Sequence, residues 1–312
     1  MKRTALFLIL ASFAASAATQ VEIATSIAFT EGPTTDAAGN VYFCDTQNDR
    51  ILILGTDGKR TTFRQPANRA NGLVFDAQWR LLASEMGSAE NPPRVTRTDI
   101  KTGKVEILVD QFEGKRLNGA NDITFDNKGR IYFTDFGGLT APDPKIIGLS
   151  GVYRIDLDGK VSRILLAPEV QRPNGLIISP DDRTLYVVES NQAVNGARMI
   201  RAYDLRPDGT VTNMRVFHNF YPGRSADGMC IDTAGNLYLA AGLNQPRGSS
   251  ETLDTKAGIH IYSPAGKLLE FIPIPEDTIT NCGFGGPDMK TVYVTAGKTL
   301  FRFRSNVAGT RR

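Results

Sequence analysis

Residues 226–241, ADGMCIDTAGNLYLAA, place a carboxylate and a glycine ahead of an apolar strand, a short turn and a second strand. Taken alone, Asp227 reads as a turn residue, because Asp-Gly before a strand is common turn chemistry. The same phrase returns five times in the chain: TEGPTTDAAGNVYFCD (30–45), ANGLVFDAQWRLLASE (70–85), ANDITFDNKGRIYFTD (120–135), PNGLIISPDDRTLYVVES (173–190) and TNCGFGGPDMKTVYVTA (280–296). The fold is therefore expected to be built from six similar units.

Each unit continues with two more strand-like segments, such as GVYRIDLDG (151–159) and KVSRILLA (160–167) in the third copy. Four strands per unit, joined by turns rich in Gly and Asp, are typical of a β-propeller blade. The last copy lacks a clear fourth strand, whereas TQVEIATSIAF (19–29) is a strand without a unit. We therefore expect an all-β, six-bladed β-propeller over residues 19–312, a single domain whose N-terminal strand closes the last blade and removes its open edges.

The first residues are predicted to be a secretory signal peptide covering 1–18. Lys2 and Arg3 precede an apolar run, and the small residues ASA (15–17) form a cleavage site. The apolar run is too short to span a bilayer. The mature protein is thus expected in the periplasm or outside the cell.

The composition limits the classes of partner. The 36 Lys and Arg residues nearly balance the 33 Asp and Glu residues, and they form no basic stripe or polybasic tract. Nucleic acid and membrane surfaces are therefore not expected partners. We expect a monomer that takes a small-molecule substrate. The three cysteines, an odd number, are expected to be buried free thiols rather than a disulfide framework.

The polar residue that opens each copy is the candidate for chemistry. Inner strands of a propeller line its channel, so these six residues should converge at one mouth: Glu31, Asn71, Asn121, Asn174, Asp227 and Asn281. Their oxygen donors suit Ca²⁺ or Mg²⁺. The alternative is that they are turn residues. Against it, Glu31 is a poor turn former, and each copy carries its own hairpin turn a few residues later.

The motifs EGP, NGL, AND, RPNGL, ADG and TNCGFGGPD, in this order, resemble those of the gluconolactonase, senescence-marker-protein and luciferin-regenerating-enzyme family, and the likeness covers nearly all of the mature chain. The resemblance implies a six-bladed propeller with one divalent cation, usually Ca²⁺, in the channel mouth. It implies Glu31, Asn174 and Asp227 as metal ligands, Asn121 on the substrate side, and Asp227 as general base. Animal members carry an arginine where this chain has Gly119.

These residues together predict an exported, metal-dependent lactone hydrolase. The cation polarises the carbonyl, Asp227 activates water, and three amides orient the substrate: Asn71, Asn121 and Asn281. Ca²⁺ is the expected ion, with Mg²⁺, Mn²⁺ or Zn²⁺ as alternatives. Two other functions stay open on the same fold, a metal-dependent phosphotriesterase-like hydrolase and a non-enzymatic binding module. A serine hydrolase is disfavoured, because the chain has no GxSxG motif and its two histidines lie in structural contexts.

Overall fold

The computed structural model describes residues 19–88, 90–136, 147–148 and 150–311. The predicted signal peptide, 1–18, and most of the insertion at 137–149 lie outside these residues. The regular secondary structure of the described part consists of β-strands, apart from one helical element, the 3-10 turn Thr46–Asn48. No helix in this part is long and apolar enough to cross a membrane.

The first half of the chain, in order, forms the strands β1 (Glu22–Ser26), β2 (Thr30–Thr35), β3 (Val41–Asp45), β4 (Arg50–Leu54), β5 (Arg60–Arg64), β6 (Ala70–Phe75), β7 (Arg80–Glu85), β8 (Arg94–Asp99), β9 (Val105–Val109), β10 (Gln111–Phe112), β11 (Lys115–Arg116), β12 (Ala120–Phe125), β13 (Ile131–Asp135), β14 (Gly151–Ile155) and β15 (Val161–Leu166). The second half forms β16 (Pro173–Ile178), β17 (Thr184–Ser190), β18 (Arg198–Leu205), β19 (Val211–Asn219), β20 (Ala226–Ile231), β21 (Leu237–Ala241), β22 (Gly258–Tyr262), β23 (Leu268–Pro273), β24 (Ile279–Gly285), β25 (Thr291–Ala296) and β26 (Thr299–Arg304).

These strands form six antiparallel four-stranded sheets, the blades of the propeller: β2–β5, β6–β9, β12–β15, β16–β19, β20–β23, and β24–β26 with β1. The short hairpin β10–β11 lies between the second and third blades. The sixth blade is closed as the sequence predicts. β1 pairs antiparallel with β26, so that Glu22 lies opposite Arg302 and Ser26 lies opposite Thr299.

The hydrophobic core lies between successive blades. Six buried apolar clusters fill the six gaps. In the gap between blades two and three, for example, Leu82 packs in one cluster with Ile123 and Phe133. Alternating apolar residues on each strand supply these contacts. All three cysteines are buried and free, as predicted.

The inner strands form a ring around the central channel. Each of β2, β6, β12, β16, β20 and β24 contacts the inner strands of both neighbouring blades. The residues that open the six repeats lie on these strands. The fold therefore brings positions 40 or more residues apart in sequence to one surface.

Candidate active site

A β-bulge sits at the start of every inner strand. The pairing of β20 with β21, for instance, breaks between Ala226 and Met229, so Asp227 and Gly228 lie in the bulge. The strands β6, β12 and β16 break their register at the equivalent place. The break in β2 lies one residue later, between Glu31 and Thr34, and the break in β24 lies between Ile279 and Asn281. Bulges re-aim side chains and are common beside functional sites. Asp227 is therefore a strand residue that faces the channel.

The turn residues of the repeat are separate side chains. In the fifth blade Asp232 accepts hydrogen bonds from the backbone N–H groups of Ala234 at 2.9 Å and Asn236 at 2.8 Å. Such Asx geometry forms the hairpin without help from Asp227. The interpretation of the six opening residues as turn formers thus fails for this blade.

Glycines follow the opening residues because the inner strands approach one another closely at the bulges. A β-carbon at position 175 would lie 2.7 Å from the Cα atom of Gly228, and one at position 72 would lie 2.7 Å from the Cα atom of Asp122. Atoms cannot approach so closely, so Gly175 and Gly72 keep the ring narrow. This narrowing holds the opening side chains near one another.

Five of the six opening residues line one cavity at the channel mouth: Glu31, Asn71, Asn121, Asn174 and Asp227. Asn281 lies apart from them. It lines a second cavity that is bounded by later residues of the inner strands. The Asn281 Nδ2 group donates a hydrogen bond of 3.3 Å to Asp122 Oδ2 there.

The different position of Asn281 has a cause in the backbone. The register break in β24 lies between Ile279 and Asn281, and Asn281 itself pairs with Thr295. In β20 the break runs from Ala226 to Met229 and contains two residues, so that Gly228 rather than Asp227 is the register counterpart of Asn281. A one-residue difference in register turns a strand side chain to another face.

Asp227 is held by a neighbouring guanidinium. Arg224 Nη2 lies 2.8 Å from Asp227 Oδ2, and Arg224 Nη1 donates to the carbonyl oxygen of Ile279 at 2.9 Å. Burial raises the pKa of Asp227, and the Arg224 charge opposes that rise. The Asp227 side chain is still 19% exposed, whereas Arg224 is almost fully buried. The carboxylate is therefore fixed in orientation and open to the cavity.

Glu31 lies beside this carboxylate. Burial raises the pKa of Glu31 well above its usual range, and the carboxylates of Asp227 and Asp122 raise it further. The Asn71 amide opposes the rise in the pKa of Glu31, and the Asn174 amide opposes the rise in the pKa of Asp227. Asn71 Nδ2 donates to Met86 Sδ at 3.5 Å, and Asn174 Nδ2 donates to Ser190 Oγ at 3.3 Å. Acidic groups buried this close together favour either a shared proton or a bound cation.

The donors fit an oxygen-binding cation. In the described part of the chain, no three His, Cys, Asp or Glu side chains lie close enough to hold a metal ion by themselves. A metal at this mouth would therefore need amide oxygens from asparagines beside the two carboxylates. Mixed carboxylate and amide oxygens are the ligands of Ca²⁺ and Mg²⁺.

Several polar residues of this region were not singled out by the sequence analysis. Asp122 is buried in the channel, and burial raises its pKa to about 7. The sequence does distinguish Asp122, because it directly follows the opening residue Asn121. Four other copies have glycine at that position: Gly32, Gly72, Gly175 and Gly228. The mouth cavity is also lined by four charged residues: Arg69, Arg172, Arg224 and Glu251. Arg69 and Arg172 share one repeat position, two residues before the opening residue, and this signal could have marked them.

The two histidines lie outside the mouth cavity, as predicted. His218 Nε2 lies 3.1 Å from the hydroxyl oxygen of Tyr262. His260 Nε2 lies 2.9 Å from the carbonyl oxygen of Lys256. Burial lowers the pKa of both imidazoles, which keeps them neutral. Their contacts are those of structural residues.

A profile of the SMP-30/gluconolactonase/LRE-like region matches residues 29–298. A gluconolactonase from Zymomonas mobilis is 28% identical over 92% of this chain and 81% of its own length. Regucalcin from the rabbit, Oryctolagus cuniculus, is 30% identical over 80% of this chain and 79% of its own length.

A solved structure from Xanthomonas campestris, described as a gluconolactonase important in glucose secondary metabolic pathways, superposes with a TM-score of 0.75. It is 28% identical, and the match covers 92% of this chain and 89% of that one. These likenesses extend over all six blades, because the matched region begins before β2 and ends after β25.

Proposed function

The chain belongs to the SMP-30/gluconolactonase/LRE-like family of lactone hydrolases, and we propose that it opens a lactone ring with Asp227 as general base and a hard divalent cation as cofactor. The observation that carries this proposal is the convergence of two buried carboxylates and three amides on one cavity. A propeller that only binds a partner has no need of paired acids in its channel mouth.

Glu31, Asn174 and Asp227 are the residues that would hold the cation. A cation held there acts as a Lewis acid toward the lactone carbonyl. Ca²⁺ is the ion we propose first, since the mouth offers carboxylate and amide oxygens and neither histidine lines it. The Glu31 and Asp227 carboxylates, whose pKa values are raised by burial, would gain a counter-charge from the ion.

Asp227 is placed to move the proton. Its carboxylate would accept a proton from the water that attacks the carbonyl carbon, and would return it to the ring oxygen as the acyl C–O bond breaks. The products are a hydroxyl group and a carboxylate. Arg224 holds one carboxylate oxygen at 2.8 Å, which fixes the direction in which the other oxygen points.

The asparagines would orient the lactone. Asn71 and Asn121 line the cavity beside the two acids, and each amide can donate to a ring hydroxyl or to the developing oxyanion. Asn281, which faces the second cavity, would act on this site through its hydrogen bond to Asp122. We therefore give Asn281 a positioning role.

We also propose that the protein works outside the cytoplasm. The basis is the signal-peptide pattern of residues 1–18, in which two basic residues precede an apolar run and a small-residue cleavage site. An N-terminal sequence of the exported protein that begins near Ala18 or Thr19 would support this.

The decisive experiment combines metal analysis with a lactone panel. The purified protein should carry about one Ca²⁺ or similar ion per chain, and a chelator should abolish lactone hydrolysis until the ion is restored. Glu31→Gln should weaken metal binding and lower the rate. Glu106→Gln is the matched control, because Glu106 lies on the outer strand β9 with a side chain 53% exposed.

Hydrolysis that continues at full rate in the chelated protein would refute metal dependence. Metal content unchanged by Glu31→Gln would refute the ligand assignment. A protein that binds sugar lactones but never hydrolyses them would favour the binding module. A protein that cleaves phosphotriesters but no lactone would favour the other hydrolase.

A further inference from the structure

The channel mouth is lined by as many guanidinium groups as carboxylates: Arg69, Arg172 and Arg224 against Glu31, Asp227 and Glu251. Arg224 is engaged with Asp227. A divalent cation between Glu31 and Asp227 would leave an excess of positive charge in this cavity. A partly enclosed site of that kind favours an anionic ligand.

Arg172 has an unsatisfied donor at this site. Its guanidinium lies over the Phe136 ring, 4.9 Å from the ring centroid. Its Nε atom is buried and has no hydrogen-bond partner among the residues that the structure describes. Among the described residues, no carboxylate oxygen lies within 4.0 Å of the Arg172 nitrogens. Buried donors in native proteins are almost always paired. The unpaired Arg172 Nε–H group is therefore a candidate donor to a bound ligand.

Arg69 occupies the equivalent position two blades away. Arg69 lies two residues before Asn71, and Arg172 lies two residues before Asn174. Each directly precedes its inner strand, β6 or β16. In the part of the chain that the structure describes, the Arg69 side chain also makes no ion pair. Two guanidinium groups that make no ion pair with a described residue therefore face the same cavity, and the charge of one of them, Arg172, also lowers the pKa of Asp227.

Blade three lies between these two arginines and leaves room. Its residue at the same position is Gly119, which is buried. A β-carbon built there would meet no atom of the described residues within 4 Å. The two guanidinium groups thus flank a position at which blade three presents no side chain.

We propose that Arg69 and Arg172 bind an acidic group of the substrate, so that the natural substrate is a sugar lactone carrying a second, ionised acid group. This inference rests on the proposed lactonase function and specifies its substrate class. A guanidinium stacked on a ring presents its N–H groups in a fixed plane, which suits a carboxylate or a phosphate. A neutral lactone would bring no counter-charge to either guanidinium group.

The arginines could instead serve the carboxylate that ring opening creates. That role would apply to every lactone alike, because every lactone yields this group. A matched pair of substrates separates the two roles. D-Glucono-1,4-lactone and D-glucaro-1,4-lactone have the same ring and differ in one exocyclic group, a neutral CH₂OH in the first and a carboxylate in the second.

The test is kcat/KM for both lactones at pH 7 and saturating Ca²⁺, with 6-phosphogluconolactone as the phosphate-bearing substrate. The wild type should prefer an acidic lactone by roughly tenfold or more. Arg172→Gln and Arg69→Gln should each lower kcat/KM for that lactone by roughly 10- to 100-fold, the scale of a hydrogen bond to a charged group. The neutral lactone should change by less than about threefold. Arg183→Gln, whose side chain is 85% exposed, is the control.

Equal losses on the neutral and acidic lactones would overturn the inference, as would a wild type that prefers the neutral one. Binding provides a readout that does not need hydrolysis. Calorimetry at fixed free Ca²⁺ should give tighter binding of glucarate than of gluconate, and Arg172→Gln should remove the difference. If that difference is found without any lactone hydrolysis, the lactonase proposal fails and the anion site stands. Equal binding of glucarate and gluconate would refute the anion site and leave the lactonase proposal unaffected.

Discussion

The backbone position of Asp227 determines where its carboxylate points. The bulge in β20 turns the side chain into the channel, and Arg224 then fixes one carboxylate oxygen at 2.8 Å. The repeat in the sequence predicts which residue opens each blade, because that position recurs. It does not predict Arg224, Arg172 or Arg69 as cavity residues, since which way a side chain faces depends on bulge register and on neighbouring blades.

Replacing Asp227 by Asn should separate its two proposed roles. Asn keeps an oxygen for the cation and nearly the same shape, but it cannot accept a proton at neutral pH. We expect Asp227→Asn to bind Ca²⁺ at raised concentration while kcat falls by roughly 10²- to 10⁴-fold. Asp227→Ala should lose both. Asp57→Asn, on an exposed turn, is the control. A near wild-type rate in Ca²⁺-saturated Asp227→Asn would reduce Asp227 to a ligand.

Asp122 should give the metal-free protein a pH-dependent stability. Its pKa of about 7 in the fold lies above the ordinary value of about 4. The folded protein therefore binds more protons than the unfolded chain between these pH values, and the contribution of Asp122 is full below pH 4 and lost as pH rises through 7.

Asp122→Asn removes this titration. In chelator, the stability of the variant relative to wild type should rise between pH 4 and 7, by up to about 4 kcal/mol. Urea unfolding at a series of pH values measures the difference. A difference that stays constant over this range would show that Asp122 titrates normally.

At the level of strands, the sequence predicts the architecture well. Apolar alternation and hairpin turns are local properties of the sequence, so the four-stranded repeat can be predicted from it. The closing strand can also be predicted, because TQVEIATSIAF belongs to none of the six repeats. The structure confirms it, since β1 pairs with β26. The site is less completely predicted. Asn281 repeats the Asn of other blades in sequence, yet the different bulge in β24 turns it toward the second cavity.

Removal of β1 should weaken the ring at one point. Without residues 19–26 the edge of β26 is open, and Ala24 no longer packs on the core between blades six and one. We expect a lower melting temperature and self-association through the free edge, seen by light scattering. Ile23→Ser is the control, because Ile23 is 69% exposed and its loss should change stability by less than about 0.5 kcal/mol. A truncated protein as stable and monomeric as wild type would show that β1 does not support the ring.

For the whole molecule, the proposed cation should couple the blades. Its ligands Glu31, Asn174 and Asp227 come from blades one, four and five, so binding is possible only in the closed ring. An ion that binds only the folded state stabilises it by about 2.7 kcal/mol at one hundred times its Kd. We expect the melting temperature to rise with Ca²⁺ by roughly 5 °C at that concentration. Calorimetry on wild type and Glu31→Gln tests this, and an equal rise in both would place the stabilising ion elsewhere.

The pairing of β1 with β26 also sets an order of events in assembly. Glu22 and Arg302 are partners in the ladder although 279 residues lie between them. The ring cannot close until the last strand has left the ribosome, and in an exported chain until it has crossed the membrane. Until then the open arc exposes free strand edges to other chains, so partly completed molecules should depend on holding chaperones more than the finished protein does.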